Sequence, residues 1–454
     1  MSRLLNRSRE LLLLLCATAL LALMLFGLET SQGRTLSQEM LYIIGGFMGV
    51  YAIAHVAIAF LAPHADQAML PVVALLNAVG LVVIYRLDLA ERPGYGPLAE
   101  RQMMWSLVGV GLMVLTLIVI RDHKSLSRYS YLLGLLGLIL LALPLVWPQP
   151  PGYEEARIWL WLGPFSIQPG EFSKILLLIF FAQLLAQKRA LFTVAGKRFL
   201  GLTFPRLRDL APILMVWAIA ILIMGVSNDF GPALLLFATV LGMVYFATSR
   251  ASWLAIGLAL VAVGGYAVYQ VSAKIQERVS NFIDPFADFD GVGNQPANAL
   301  IGLSWGGITG TGLGYGHPEL VPVAHSDYIL AALGEELGFA GIAAVLCLFA
   351  IFITRGFRTA LQARDSYGKL LASGLALTIA IQIFVVAGGV SAMLPMTGLT
   401  TPFMSAGGSS VMANYILLGL LLRISNSANR PADYDAVAAG TAQRLGQSEV
   451  VSAR

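Results

Sequence analysis

Three carboxylates in the second half of the chain are the first candidates for chemistry, because they lie at the start of a long apolar run and within it. Asp327 stands where the run begins, and Glu335 and Glu336 follow it. If the run is helical, at 1.5 Å per residue, the two glutamates lie roughly 12 Å deeper than Asp327. Carboxylates are costly in hydrocarbon and usually face a cavity, so all three are functional candidates.

These carboxylates have different expected roles. Asp327 follows His325 and Ser326 and precedes the predicted helix, so it can act as a general base at the surface, or it can simply cap the helix. Adjacent residues on a helix point about 100° apart, so at most one of Glu335 and Glu336 should face a cavity well. We expect Glu336 to do so, in a structural or proton-handling role, while Glu335 can pair inside the bundle. His325 can tune Asp327, or it is a solvated loop residue.

Two basic side chains are candidates for binding a phosphate. Lys174 follows Glu171 by three residues, a spacing that makes either a structural ion pair or part of a substrate clamp. Arg101 stands where another apolar run begins, so it either contacts phosphate or anchors the helix at the membrane interface. Lys274 and Arg278 precede a long polar loop and are weaker candidates.

The composition is that of a polytopic membrane protein. Of 454 residues, 57% are hydrophobic and 12% are charged, against about 45–50% apolar and about 25% charged residues in soluble domains. The mean hydropathy is +0.77. The net charge of +4 does not indicate nucleic-acid binding, because the basic residues lie in short loops between apolar runs. We therefore expect membrane lipids, and no nucleic acid, as partners.

Twelve apolar segments approach the roughly 20 residues that a membrane-spanning helix needs. The sequence therefore predicts an all-α, polytopic membrane helix bundle. The first segment follows a basic stretch, as in a signal peptide, but it has the length of a full span and is expected to stay. The segments lie at residues 11–28, 40–62, 69–85, 103–120, 129–147, 171–187, 210–227, 230–248, 252–272, 327–354, 370–393 and 401–422.

The loops between these segments carry unequal positive charge. If the N-terminus is cytoplasmic, 21 of the 29 Lys and Arg residues fall on the cytoplasmic side, as the positive-inside rule expects. Both termini are therefore predicted to be cytoplasmic, and the loop at 273–326 is predicted to be external. The stretch at 425–454 is polar and has no apolar period, which is typical of a disordered tail.

Other sequence motifs are weaker indications of a catalytic or metal-binding site. The triplet Asp229-Phe230-Gly231 matches the kinase metal-binding triplet, but it lies in a short turn between spans, so we prefer a helix N-terminal acid. The aromatic run WLWLGPF at 159–165 predicts a short helix lying in the membrane interface. Cys16 and Cys347 both fall inside spans, so the sequence contains neither a disulfide framework nor a metal-ligand spacing.

Four polar segments together carry a family resemblance. They are WLWLGPFSIQPGEFSK at 159–174, RVSNFIDPFADFDGVGNQ at 278–295, AHSDYILAALGEELG at 324–338 and PMTGLTTPFMSAGGSS at 395–410. In this order and spacing they resemble the SEDS family of RodA/FtsW peptidoglycan glycosyltransferases, from about residue 75 to residue 423. The QPGEFSK wording and the two preceding spans resemble actinobacterial RodA proteins more than FtsW.

The resemblance implies a fold and a set of site residues. It implies a SEDS-type core of ten spans at 67–424, with two additional N-terminal spans at 1–66, and it makes Asp327 the catalytic aspartate. Two departures from the family pattern stand out. The usual G-A-x-R-W is EARIW at 155–159, which moves the arginine by one position, and the usual S-Y-G-G-S-S is SAGGSS at 405–410. The substrate-binding candidates are Arg101, Arg157, Gln168, Glu171, Lys174, Gln295, Glu336 and Ser409.

The function that the resemblance implies is an inverting glycosyltransferase that polymerises lipid II into glycan strands during cell elongation. Polyprenyl pyrophosphate would be released, and a class B penicillin-binding protein would be the transpeptidase partner. No cofactor is required by the sequence, although a divalent cation (Mg²⁺ or Mn²⁺) can assist at the pyrophosphate. The alternatives are a lipid II flippase, a septal FtsW-type polymerase and a non-catalytic scaffold.

The charge pattern predicts on which side of the membrane each loop lies. In a chain without Cys16 and Cys347, an impermeant thiol reagent should label a cysteine at Asn294 in intact cells. A cysteine at Thr193 should react only after the membrane is opened, because it lies in the most basic loop. Labelling of the Thr193 position alone in intact cells would contradict this topology.

Overall fold

Apolar helices form most of the computed structural model, as the composition predicts. The structure describes residues 6–34, 37–90, 97–150, 157–163, 165–193, 198–199, 202–203 and 207–431. The helices in these ranges are α1 (Ser8–Ser31), α2 (Gln38–Leu61), α3 (Met69–Asp88), α4 (Leu98–Val119), α5 (Lys124–Arg128), α6 (Ser130–Val146), α7 (Pro169–Thr193), α8 (Leu207–Val226), α9 (Phe230–Thr248), α10 (Ser252–Val271), α11 (Ala273–Ile283), α12 (Asn294–Gly306), α13 (Ile329–Gln362), α14 (Ser366–Val390) and α15 (Gly408–Ala428).

Ten of the helices in the described ranges are long and apolar enough to cross a membrane. All twelve predicted spans coincide with helices, but α6 and the described apolar part of α8 (Leu214–Val226) are shorter than a candidate span. The prediction of an all-α membrane bundle is thus confirmed with ten candidate spans. That the first two helices are an addition to the family core stays a prediction.

The centre of the bundle is built from α3, α7, α14 and α15, most of whose residues are buried. Close backbone approach there depends on glycine. A Cβ atom on Gly80 would lie 2.5 Å from the carbonyl oxygen of Met404, so only glycine lets the loop before α15 lie against α3. At the periphery, α10 has few buried residues.

Contacts between loops divide them between the two ends of the bundle. At one end, Arg7 donates to the Ala65 carbonyl at 2.9 Å, and His123 Nε2 lies 2.7 Å from Asp365 Oδ2. In a chain with repeated membrane spans, successive loops lie on alternate sides, and the division of these loop contacts agrees with that expectation. The contacts at the opposite end join Gln32 to Gly314, Lys274 to Asn228, Arg278 to Thr397 and Ser405 to Ser326.

One long helix, α13, is broken near its start. Gly338 has a φ of +66° and a ψ of −170°, which interrupts the helical backbone. The segment before the break, residues 329–337, forms a half-helix that begins two residues after Asp327. Its far end carries Glu335 and Glu336, both of them buried.

The predicted interfacial helix at 159–165 is wrong. Strands β1 (Leu160–Leu162) and β2 (Phe165–Ile167) pair antiparallel there, with Leu160 opposite Ile167. Gly163 has a φ of +65° between the strands, a conformation that closes a hairpin rather than continuing a helix. A second short hairpin pairs β3 (Arg198–Phe199) with β4 (Leu202–Thr203).

The last helix extends beyond the predicted start of the tail. Helix α15 continues to Ala428, so residues 425–428 are helical because they pack inside the bundle. The rest of the predicted disordered tail, residues 432–454, lies outside the described residues.

Candidate active site

Asp327 is held by two loops that cross at one end of the bundle. Ser326 donates its hydroxyl to Asp327 Oδ1 at 2.7 Å. The backbone before Asp327 is fixed in turn, because Ser405 Oγ donates to the Ser326 carbonyl at 2.6 Å and the Ala406 amide donates to the His325 carbonyl at 2.8 Å. The side chain is therefore positioned by residues about 80 positions away in the sequence.

Asp327 does not cap the helix that follows it. The N-cap of α13 is Tyr328, and no side chain makes a capping hydrogen bond there. A capping aspartate accepts a hydrogen bond from an amide two or three residues along, whereas the Asp327 carboxylate accepts one from the Ser326 hydroxyl. The structural alternative raised by the sequence is thus not what the geometry shows.

The guanidinium group of Arg278 and the carboxylate of Asp327 both lie close to Gly398. A Cβ atom added to Gly398 would lie 3.3 Å from Arg278 Nη2 and 3.6 Å from Asp327 Oδ2. Gly398 has a φ of +73°, so both space and backbone favour glycine there. Arg278 Nη1 also donates to the Thr397 carbonyl at 3.0 Å, which holds the guanidinium group in place.

Burial raises the pKa of Asp327 above its ordinary value. The hydrogen bond from Ser326 and the positive charge of Arg278 act in the opposite direction, because both stabilise the carboxylate. A raised pKa makes a carboxylate a stronger base, provided that it is still ionised at the working pH. Both effects act on Asp327, because burial raises its pKa while Ser326 and Arg278 favour its ionised form.

The Asp327 carboxylate lines a polar cavity of about 390 Å³, within the usual range of about 300–1,000 Å³ for ligand sites. Gln295, predicted as a substrate contact, lines the same cavity. The cavity lies between α11, α12 and the loop before α15. Its other charged or amide side chains are Lys274, Glu277, Arg278 and Asn281.

A second acidic residue lies near Arg278. Burial, followed by the negative charge of Glu171, raises the pKa of Asp229 to about 6, and Lys274 and Arg278 lower it. Asp229 stands at the N-cap position of α9 but makes no capping hydrogen bond. Asp229 thus stands at a helix N-terminus, as predicted. Its carboxylate also interacts electrostatically with Lys274 and Arg278, which line the polar cavity.

Glu171 and Lys174 form the predicted ion pair. Lys174 Nζ lies 2.6 Å from Glu171 Oε2, and both side chains are over nine-tenths buried. The helix that carries them is anchored by Ser173, whose hydroxyl donates to the Gly137 carbonyl at 2.6 Å. Because Glu171 raises the pKa of Asp229, the pair lies within electrostatic reach of the site.

The other predicted substrate contacts do not line the polar cavity. The backbone N–H of Gln168 donates to Ser409 Oγ at 2.8 Å, which connects the residue before α7 to the first turn of α15. Arg101 and Arg157 are exposed and do not line the polar cavity. Glu155 and Ala156, which carry the departure from the family pattern, lie outside the described residues.

Glu336 points away from the polar cavity and into a buried ion pair. Its Oε1 accepts from Arg86 Nε at 3.0 Å, and its Oε2 accepts from the Gly314 amide at 2.5 Å. Arg86 also donates to the Gly316 carbonyl at 2.7 Å. Glu335 accepts from the His317 amide at 2.6 Å. Both glutamates therefore hold the glycine-rich loop, and substrate contact by Glu336 stays a prediction.

His325 faces a separate small recess, which it shares with Glu319 and Val323. Burial lowers its pKa, so the neutral imidazole is favoured. The charges that act on the pKa of Asp327 are those named above and do not include His325. Its contribution to the loop is the backbone carbonyl that receives the Ala406 amide.

An apolar groove of about 740 Å³ continues from the polar cavity between α12, α13 and α14. Leu394 lines both, and Leu300 and Leu303 lie one helical turn apart on the two sides of the boundary. The groove walls are almost wholly aliphatic or aromatic. A polar site thus opens onto a surface that suits a hydrocarbon chain.

Among the described residues, no three His, Cys, Asp or Glu side chains converge as a metal-binding group. The cations nearest to Asp327 and Asp229 are side chains, those of Arg278 and Lys274. The arrangement therefore combines a base of raised pKa with fixed positive charges in one cavity.

Three residues of the site or its supports are predicted weakly or not at all from the sequence. Arg278 is a weak candidate, Asp229 is predicted as a helix N-terminal acid, and Arg86 is not singled out. A signal for Arg86 was available, since an arginine inside an apolar span is usually paired. Its partner lies 250 residues away, which no local spacing reveals.

Comparison with known proteins gives consistent matches. The sequence model for the FtsW, RodA and SpoVE cell cycle proteins matches residues 66–430. The peptidoglycan glycosyltransferase RodA of Mycobacterium tuberculosis is 49% identical over 430 residues, which cover 94% of this chain and 92% of that protein.

Two solved structures share the fold. One chain from a study of how a peptidoglycan synthase complex coordinates polymerization and crosslinking is 28% identical. The match covers 80% of this chain and 97% of that one, with a TM-score of 0.64. The Rod shape determining protein RodA of Thermus thermophilus is 24% identical, with 81% and 98% coverage and a TM-score of 0.57. The second similarity supports the fold alone.

Proposed function

This chain belongs to the FtsW/RodA/SpoVE family, and we propose on that basis that it is a peptidoglycan glycosyltransferase of the RodA type, which polymerises lipid II. The observation that carries the mechanism is the environment of Asp327. Its carboxylate lines a polar cavity beside Arg278, and the cavity opens onto an apolar groove. A lipid-linked sugar needs this combination of polar and apolar surfaces.

Asp327 acts as the general base. It removes the proton from the 4-hydroxyl of the acceptor's N-acetylglucosamine as that oxygen attacks C1 of the donor's N-acetylmuramic acid. The bond from C1 to the pyrophosphate breaks, and polyprenyl pyrophosphate leaves. Attack from the face opposite the leaving group inverts C1, so an α-linked donor yields a β-1,4 bond. The raised pKa of Asp327 supports this role, because it brings the base closer to neutral pH.

The departing pyrophosphate needs positive charge where its own negative charge develops. Arg278 and Lys274 line the cavity and supply it there. Lys174, which is paired with Glu171, is a further candidate for contact with the pyrophosphate. Mg²⁺ or Mn²⁺ carried in with the pyrophosphate would add to this neutralisation. The chemistry above uses side chains of this chain alone.

The apolar groove between α12, α13 and α14 accommodates part of a polyprenyl tail. It begins where the polar cavity ends, at Leu394, and is walled by side chains such as Phe339 and Phe349. A tail in the groove would place the pyrophosphate at the boundary, within reach of Arg278. This continuity supports an enzyme of lipid-linked substrates over a scaffold, which requires no such cavity.

The reaction is placed on the outer face of the cytoplasmic membrane, with both termini in the cytoplasm. The support is the charge bias of the loops and the gathering of the site loops at one end of the bundle. The partner is a class B penicillin-binding protein that crosslinks the new strands. The role is cell elongation, with septal polymerisation as the second candidate within the family.

The Glu171–Lys174 pair tests whether Lys174 contacts phosphate. Lys174→Met leaves the Glu171 carboxylate buried without its partner, so we expect a loss of about 3–5 kcal/mol in the free energy of unfolding, with lower turnover. The double variant Glu171→Gln/Lys174→Met removes both charges and should recover most of the stability, while polymerisation stays low. Thermal unfolding and lipid II polymerisation are measured for the double variant and for both single variants.

Recovery of both stability and full polymerisation in the double variant would show that the pair is structural only. The Glu171→Gln variant serves as the control, because it removes the acidic partner and keeps the lysine.

Asp327→Asn tests the base directly. Asparagine keeps the size and most of the hydrogen bonding of aspartate, so the protein should insert and fold, but the basic carboxylate is gone. Loss of a general base costs about 10²–10⁴ in rate, so glycan polymer should be nearly undetectable. Polymerisation of purified lipid II and movement of lipid II between leaflets are measured at matched protein levels in liposomes.

Near-normal polymerisation by the Asn variant would remove Asp327 from the mechanism. Transport of lipid II between leaflets by the wild-type protein, without polymer, would instead support the flippase.

A further inference from the structure

The last turn of α1 forms a seat for a single glycine of the external loop. Gln32 Nε2 donates to the Gly314 carbonyl. A Cβ atom on Gly314 would lie 2.1 Å from Ser31 Oγ and 3.2 Å from Leu28 Cδ1. Gly314 also has a φ of +85°, so glycine is needed there for both space and conformation. The end of the first helix therefore touches the glycine loop, defined here as residues 306–316.

The glycine loop is bonded in turn to the half-helix at 329–337. The Gly314 amide donates to Glu336 Oε2 at 2.5 Å, and the Gly312 amide donates to the Glu336 carbonyl at 3.0 Å. The Thr311 amide donates to the Glu335 carbonyl, also at 3.0 Å. These bonds attach the loop to the last residues of the half-helix before it breaks at Gly338.

A second, buried connection joins the same end of α1 to α3. The Tyr85 hydroxyl donates to the Glu29 carboxylate, which is 1% exposed and also accepts from the Ser37 hydroxyl at 2.7 Å. Tyr85 precedes Arg86, and Arg86 pairs with Glu336. Helix α1 thus reaches Glu336 by two routes, one through Gly314 and the other through α3.

We propose that the hairpin of α1 and α2 positions the half-helix, and with it Asp327, through the seat at Gly314. Gln32 is a positioning residue in this arrangement, because it acts on Asp327 through Gly314 and Glu336. The inference rests on the proposed function, in which Asp327 is the base.

The geometry explains why a distant contact affects the base. The half-helix is a straight segment of about 13 Å, at 1.5 Å per residue, with Glu335 and Glu336 at one end and Asp327 just beyond the other. Ser405 and Ala406 hold the backbone at the Asp327 end, and the contacts of Glu335 and Glu336 hold the far end, next to the break at Gly338. A tilt there displaces Asp327, and displacements of about 1 Å can cost up to about 100-fold in rate.

The first experiment compares two glutamines at the same end of the hairpin. Gln32→Ala removes the donor to Gly314, whereas Gln38→Ala changes an exposed residue in the first turn of α2. We expect Gln32→Ala to lower kcat for lipid II polymerisation by about threefold to tenfold with little change in KM, and Gln38→Ala to match the wild type. Rates are normalised to folded protein from thermal unfolding.

The second experiment restores the donor at position 32. Gln32→Glu keeps the size of the side chain but removes its N–H donor, whereas Gln32→Lys returns an N–H donor of similar reach to the Gly314 carbonyl. Gln32→Glu should lower kcat as Gln32→Ala does, and Gln32→Lys should recover most of it. All variants change the same residue, so a role of this position in folding alone would not separate the variant with a donor from the variants without one.

Equal rates for Gln32→Ala and Gln38→Ala, or equal kcat for Gln32→Glu and Gln32→Lys, would overturn the positioning role. Those results leave the proposed function intact, since the wild-type protein still polymerises lipid II and Asp327→Asn still does not. Failure of the proposed function has a different signature, which is polymerisation by Asp327→Asn.

Discussion

The electrostatic balance at Asp327 is the constraint on which the site depends. Burial raises the pKa of this carboxylate, which disfavours the ionised form that a base requires. The Ser326 hydroxyl and the Arg278 guanidinium group oppose it. Arg278 and Asp327 both lie close to Gly398, where a Cβ atom would be 3.3 Å from Arg278 Nη2 and 3.6 Å from Asp327 Oδ2, so a side chain at this position would intrude on both groups.

The fold meets this constraint by bringing several loops to one end of the bundle. Arg278 is held by the Thr397 carbonyl, and Ser326 by the Ser405 hydroxyl. The loop before α15 supplies both the Thr397 carbonyl and the Ser405 hydroxyl. It can lie at this end because glycines on α3 and α9 leave space for its backbone. Gly80 leaves room for the Met404 backbone, and a Cβ atom on Gly231 would lie 2.5 Å from the Thr397 carbonyl oxygen. Side chains at these glycines would displace the loop and the charges it positions.

The sequence predicts the local parts of this arrangement and misses those set by tertiary packing. Hydropathy predicts the helices, and a spacing of three predicts the Glu171–Lys174 pair, because both depend on neighbours in the chain. The pairing of Arg86 with Glu336 depends on how α3 and α13 pack, which local spacing does not encode. The hairpin at 160–167 was mistaken for a helix because aromatic composition was weighed above the turn at Gly163.

Asp327 is the titrating base in this mechanism and Arg278 lowers its pKa, and pH profiles of kcat/KM test both roles. Activity should fall as the pH drops through the pKa of Asp327. Arg278→Met should move this fall to higher pH, because losing the positive charge raises that pKa further. Lys274→Met should leave its position unchanged, since Lys274 acts on Asp229 and not on Asp327. A fall that moves in both variants would identify Asp229 as the titrating group and contradict the account.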